Sequence, residues 1–205
     1  MRKVIFMSFL LSSCYYHNNV APKTPNGWSY LPLEIGNSWD FQPLGGSPEA
    51  SIHREVVDIL NRQTDGYTYY LLVTTSNARP PALPIRPDSA FYRIDDNGYV
   101  YILRKYQTTS LDNRFRLNAN DGGTWTYPVD DHSTAKITVA TESLKIGNTQ
   151  VSNCKSYYYD VVNWADEENT IVLAPGIGFV KEYSDAWCFG QILKTAKIHG
   201  QVYNF

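Results

Sequence analysis

Between Trp28 and Phe205 the chain is a succession of short runs rich in Tyr, Val, Ile and Thr, each cut off by Gly, Asn, Asp or Pro. Side chains of that kind pack well on a pleated, half-buried surface and lose χ1 freedom in a helix. Two interruptions are hairpin signals. Thr64-Asp65-Gly66 separates His53–Arg62 from Tyr67–Thr75, and Asp96-Asn97-Gly98 separates Ala90–Asp95 from Tyr99–Arg104. Asn-Gly tolerates the positive φ of a tight turn, and a type I′ turn is expected there. Ala135–Thr141 alternates strictly, with Ile137 and Val139 on one face and Lys136 and Thr138 on the other. A turn at Gly147-Asn148 follows, then runs at Lys155–Asn163, Asn169–Ala174, Ile177–Tyr183 and Trp187–Ile198. His53–Leu60 could pass for a helical turn or two, but Val56, Val57 and Ile59 are β-branched, and Asp131–Thr141 lacks an apolar period of 3.6 residues, so little helix is expected.

These runs predict a mostly β protein, a single curved antiparallel sheet (half-barrel or sandwich). The 16 Tyr, 8 Phe and 5 Trp supply its apolar area. Runs such as Tyr69–Val73 are apolar on both faces, which predicts strong curvature or a covering layer. With a net charge of -2 and no basic run, nothing here could neutralise a row of phosphates, and nucleic acid is excluded as a partner.

The first residues carry an address. Arg2 and Lys3 are followed by the uncharged run Val4–Leu11, too short to span a membrane but suited to the core of a signal peptide. Leu11-Ser12-Ser13-Cys14 resembles the lipobox of bacterial lipoproteins. The resemblance implies a signal peptide over residues 1–13, cleavage before Cys14 and lipid attachment to that cysteine, with palmitate among the expected acyl groups. Tyr15 stands where an Asp holds enteric lipoproteins in the inner membrane, so an outer-membrane, periplasm-facing protein is implied. Residues 14–27 are polar and contain two prolines, the composition of a flexible tether. Residues 28–205 are then a single domain.

Assigning Cys14 to lipid leaves Cys154 and Cys188 as an even pair in an oxidising compartment, either bridged or two buried thiols. A bridge would stabilise the fold by roughly 3–4 kcal/mol on the chain-entropy account. If residues 169–183 formed one bent strand, the two cysteines would sit on its neighbours, about two strand spacings apart and too far to bond unless the sheet curls.

Two further stretches resemble a group of bacterial lipoproteins with no assigned activity. Leu31-Pro32-Leu33 through Gly36-Asn37-Ser38-Trp39 is similar to their "PL..GN.W" opening, and Ala174-Pro175-Gly176-Ile177-Gly178-Phe179-Val180-Lys181 to their "APGVGLVK" segment. The resemblance implies antiparallel β structure, and some members are distantly similar to the half-barrels of lipoprotein carriers. Pro175-Gly176-Ile177-Gly178 reads independently as a hairpin turn or a strand-bending bulge.

Chemistry-bearing motifs are absent from the sequence. His17, His53, His132 and His199 lack the close spacing of a zinc site, and Asp130-Asp131-His132 reads as a solvated turn. No nucleophile elbow, phosphate loop or dinucleotide fingerprint occurs. Asp95-Asp96-Asn97-Gly98 is half a calcium loop without its closing acid, and Asp166-Glu167-Glu168 reads as an exposed hairpin end. The proline-spaced stretch 79–87 reads as a stiff connection. Tyr157, Tyr158 and Tyr159 must point to alternate faces, one core and one exposed.

No catalytic residue, metal or cofactor is expected. The reading is a non-enzymatic, membrane-anchored envelope protein binding an apolar or extended ligand: a lipid, a glycan or a segment of another envelope protein. The alternatives are an assembly partner in an outer-membrane complex, or a hydrolase. A carrier requires a charge-free concave apolar face, a scaffold one apolar patch on a mixed surface, and an enzyme convergent carboxylates in a cleft.

Overall fold

A computed structural model describes residues 28–44, 50–61, 66–77, 88–104, 112–184 and 189–205. After a 3-10 turn at Trp28–Tyr30 the regular elements are strands: β1 (Ser38–Pro43), β2 (Ile52–Asn61), β3 (Thr68–Ser76), β4 (Asp88–Ile94), β5 (Tyr99–Arg104), β6 (Asp112–Arg116), β7 (Thr124–Pro128), β8 (Thr134–Ile146), β9 (Thr149–Val161), β10 (Asn169–Ala174), β11 (Gly178–Ser184), β12 (Phe189–Ile198) and β13 (Gln201–Asn204). They form one antiparallel sheet in the order β6-β5-β4-β3-β2-β1-β12-β11-β10-β9-β8-β7, with β13 also pairing with β12. The mostly β, single curved antiparallel sheet expected from the sequence is what forms.

The order decides the shape. Two meanders, β1–β6 and β7–β12, are joined side by side through β1 and β12. This puts β6 and β7 at opposite edges, yet only residues 117–123 connect them. Laid flat, the eleven spacings between those edges would measure about 53 Å. The connection reaches at most about 28 Å. The sheet therefore rolls until the β6 edge lies over its own far half. Phe115 meets Tyr157 edge-to-face at 5.0 Å, and the Tyr157 hydroxyl donates to the Arg116 carbonyl at 3.3 Å. Lys155 secures the connection by donating to the carbonyls of Leu117 at 2.6 Å and Ala119 at 2.7 Å. Burial holds the Lys155 ammonium below the usual lysine range.

Strand register sorts side chains by face. Tyr70, Tyr92 and Ile102 stand opposite one another and face inward, whereas Leu71, Phe91 and Leu103 form the matching outward row. On β9, Tyr157 and Tyr159 are buried and Tyr158 is 43% exposed, the alternation expected of three consecutive tyrosines. Thus the doubly apolar strands reflect a rolled sheet with a packed inside and some apolar outside.

Because successive connections alternate ends, the roll has two distinct ends. At the entry end the chain arrives at Trp28–Tyr30, and the Ser29 carbonyl accepts the Gly176 N–H of the β10–β11 turn. The links 95–98, 117–123, 147–148 and 199–200 lie at that end too. The far end carries the β7–β8 and β9–β10 links.

The two stretches that resemble lipoprotein segments meet at the entry end. Asn37, 2% exposed, donates to the Pro32 carbonyl at 2.8 Å and accepts the His199 N–H at 2.8 Å. Trp39, fully buried, donates from Nε1 to the Ile177 carbonyl at 2.6 Å and packs edge-to-face on Phe179 at 5.5 Å. Its ring lies 3.0 Å from where a Cβ on Gly178 would sit, and Gly178 takes φ +94. Residues 175–177 make a turn between two strands, so of the two readings of this segment the hairpin turn holds; the register shift of this pair lies elsewhere, between Val172 and Leu173.

The Asp96-Asn97 turn differs from expectation. The Asp95 carbonyl accepts the Gly98 N–H at 3.0 Å, and Gly98 takes φ +76 while Asn97 does not take positive φ. This is a type I turn with a glycine bulge, not type I′. The cause is Asp95, whose Oδ1 accepts the N–H groups of Asn97 at 2.9 Å and Tyr99 at 2.8 Å and fixes a three-residue loop.

Gly178→Ala is expected to lower unfolding stability by roughly 2–4 kcal/mol, combining a strained φ with the Trp39 clash. Gly176→Ala, at φ +75 with open space around it, should cost only the strained backbone, about 1–2 kcal/mol. Urea denaturation of the two variants measures the difference.

Candidate functional site

The inner faces of the two meanders leave a cavity of about 110 Å³. Its apolar walls include Leu72, Ala90, Ile102 and Phe115 on one side, and Ile171 and Phe179 on the other. Its mouth is polar, because Arg54, Thr74 and Asp88 stand opposite one another on β2, β3 and β4. Glu182 approaches from β11.

Arg54 is the hub. Its guanidinium lies 4.4 Å from the centre of the Phe179 ring and 5.5 Å from that of Phe41. Nε donates to Thr74 Oγ1 and Nη2 to Glu182 Oε2, both at 3.3 Å. The same carboxylate oxygen accepts Gln191 Nε2 at 2.6 Å. With its side chain only 12% exposed, Arg54 ties β2 to β11 across two intervening strands. The guanidinium's planarity suits it to hydrogen-bonding at its edge while stacking on a ring. No sequence motif marked Arg54 or Glu182; only the fold brings them together. Their charges balance and Asp88 adds one more negative group, so the mouth offers no net attraction to an anion.

A second grouping lies at the far end. Asp160 joins Glu167 and Glu168, each presenting an oxygen so that the three lie within 4.8 Å of one another. Glu167 commits Oε1 to the Val161 N–H at 3.0 Å. The sequence offered Asp166-Glu167-Glu168; the structure exchanges Asp166, which takes φ +69, for Asp160 on the paired strand. Three partly buried carboxylates are an oxygen-donor set that a hard cation accepts. Beside them Trp164 and Val162 are 52% and 45% exposed, with Trp164 Nε1 donating to Ser133 Oγ at 3.0 Å.

The histidines stay apart. His53 Nδ1 is 2.7 Å from Asp40 on the outer face, and His199 Nδ1 is 2.6 Å from Glu34 at the entry end. Near His132, Asp130 accepts that residue's N–H at 2.8 Å, a bond that holds its carboxyl below the usual range and closes a local turn. Cys14, His17, Cys188 and the proline-spaced stretch lie outside the described residues. Cys154 is a buried free thiol, 3.5 Å from the Val151 carbonyl, and burial pushes it up. Residues 169–183 are two strands rather than one, so β10 and β11 stand between β9, which holds Cys154, and β12.

Arg54→Ala should destabilise the fold by roughly 1–3 kcal/mol, since it strips Glu182 of its counter-charge in a partly buried site and leaves it only the Gln191 amide. Removing both charges (Arg54→Met with Glu182→Gln) should cost less than the single change, a non-additivity that a double-mutant cycle in urea would measure. A second expectation concerns alkaline pH. Burial, with a smaller contribution from Glu34, pushes Tyr70 up to about 12, and burial raises Tyr157 further. The folded chain thus favours the neutral phenols, so their contribution to stability is complete below about pH 10 and is lost as pH rises through the folded-state values. Tyrosinate absorbance during alkaline titration should show these two groups ionising after the bulk of the 16 Tyr, together with unfolding.

No protein-family model and no curated protein matches the chain. Two solved structures resemble it. One is a Bacteroides fragilis protein assigned as exported, with a YmcC-like fold, at 12% identity and TM-score 0.43, covering 83% of this chain and 97% of its own. The other is a Parabacteroides distasonis protein assigned as a lipoprotein, at 9% identity and TM-score 0.44, covering 85% and 98%.

Proposed function

We propose that this chain is a lipid-anchored envelope protein, tethered at Cys14 to the outer membrane, that binds an extended segment of another envelope protein on its outer surface and encloses no lipid. The filled interior carries this reading. A carrier needs a charge-free concave face, whereas the inner face here is packed with Trp39, Phe115, Tyr157 and Phe179 and braced by Arg54 and Glu182. The cavity of about 110 Å³ between the two meanders is well below the roughly 300–1,000 Å³ of ordinary ligand pockets. An acyl chain or a sugar unit of a glycan would have to unpack the core to enter. Tyr158 on the outer face of β9, and Val162 and Trp164 in the β9–β10 link, are exposed, largely apolar side chains near polar neighbours, as a protein-binding surface requires. The anchor itself rests on the sequence of residues 1–14: two basic residues, an uncharged apolar run, then Leu11-Ser12-Ser13-Cys14.

The test is mass spectrometry of the protein extracted from membranes in mild detergent, beside Cys14→Ala. The expected chain begins at Cys14, is heavier by its acyl groups, and retains no further lipid under native conditions. An unmodified chain would sink the anchor. A lipid retained one per chain without a covalent bond would sink the filled-interior reading.

A further inference from the structure

The exposed large apolar side chains are unevenly placed. Of those on the described surface, Ile35 (54% exposed), Val57 (40%), Ile59 (36%), Leu60 (42%) and Tyr67 (38%) belong to one neighbourhood at the entry end. Backbone bonds join its parts. The Gly36 N–H donates to the Val56 carbonyl at 2.9 Å and the Val56 N–H to the Asn37 carbonyl at 3.0 Å, which sets Ile35 beside Val57. The register of β2 on β3 shifts between Val56 and Asp58, leaving Val57 without a cross-strand partner. Ile59, Leu60 and Tyr67 stand where β2 ends and β3 begins, and Tyr67 also lies 4.0 Å beneath the Arg93 guanidinium.

The chain enters the domain at this same end, through Trp28–Tyr30 and the Ser29–Gly176 bond. Fourteen residue steps from Cys14 to Trp28 reach at most about 50 Å. A linker of that length holds the domain at an effective concentration on the order of millimolar near its attachment point, so even weak apolar contact becomes an intramolecular event. Aliphatic side chains with an arginine-backed tyrosine are the composition that settles into the boundary between headgroups and acyl chains.

We infer that the rim formed by Ile35, Val57, Ile59, Leu60 and Tyr67 rests on the lipid surface to which Cys14 is anchored. This seats the roll upright, with Trp164 and the acidic group of its far end directed away from the bilayer. The inference rests on the lipid-anchor reading. Glu34, Glu55 and Asp58 flank the rim, so an uncharged headgroup interface suits it better than an anionic one.

The experiment places the acylated full chain in phosphatidylethanolamine–phosphatidylcholine vesicles with a membrane-restricted carbene photolabel, and maps adducts by peptide mass spectrometry. Adducts are expected on the peptides holding Ile35 and residues 57–67, at least about tenfold above those on the peptide holding Val162 and Trp164. Val57→Asp with Leu60→Asp should abolish that excess, and an unchanged thermal melt would show that the fold survives. Equal labelling of the two ends, or labelling of the far end alone, overturns the docking. A parallel chain, held on nickel-chelating lipid by an N-terminal hexahistidine tag in place of the acyl group, must give the same pattern. That arm tests the docking even where the mass at Cys14 shows no acylation, so failure of the anchor and failure of the docking read out separately.

Discussion

Seven residues, 117–123, hold the two edges of a twelve-strand path within reach of each other, and the rest of the molecule follows from that constraint. A flat sheet of this width would put the edges about 53 Å apart, so the chain folds only if the sheet curls. Once it curls, the inner faces of the two meanders must fill the space between them. This explains why the bulkiest residues gather there and why they meet edge-to-face: Phe115 on Tyr157, Trp39 on Phe179, Tyr92 on Phe179. Lys155 is a consequence too. A curled edge presents carbonyls to the inside, and the ammonium group satisfies two of them at once.

The same curvature accounts for the Arg54 cluster. Where one inner face crosses the other near the far edge of the core, packing alone leaves a gap, and the gap is bridged by a stacked arginine and its carboxylate instead of a further aromatic ring. A partly buried ion pair gives little net stability over a well-packed apolar pair, but it fixes which strand faces which. In a sheet whose two halves could slide past one another by a residue pair, that choice of register has structural value.

Much of the fold was legible in the sequence. β5 and β10 run between the very residues expected, and the Gly147-Asn148 turn and the alternating faces of Tyr157–Tyr159 lie where their residue types put them. The strands not anticipated, β1, β6, β7 and β13, are short, at four to six residues, and two of them are the sheet's edges. An edge strand is paired on one side only and needs no long apolar run, so it leaves a faint pattern. The turn at Asp96-Asn97 was placed correctly but given the wrong type, because dipeptide chemistry does not include the carboxylate of Asp95 that captures two backbone donors. The Arg54 mouth was invisible for a deeper reason. Its members come from β2, β3, β4 and β11, and only the roll brings β11 against the others.

What the segments 31–39 and 174–181 do for the fold has a local answer. Asn37 and Trp39 in one stretch, and Ile177 and Gly178 in the other, make a single joint: a buried amide bonded to two backbone groups, an indole bonded to a carbonyl, and a glycine that leaves room for the ring. None of these groups lines the cavity or faces solvent as a binding residue would. They stitch the arriving N-terminal segment to the β10–β11 turn and close the entry end over the core. Residues of this kind therefore report how the roll is sealed at the end where the chain enters it. On the proposed reading, specificity lies outside this seal, with exposed side chains such as Tyr158 on β9 and Val162 and Trp164 in the β9–β10 link.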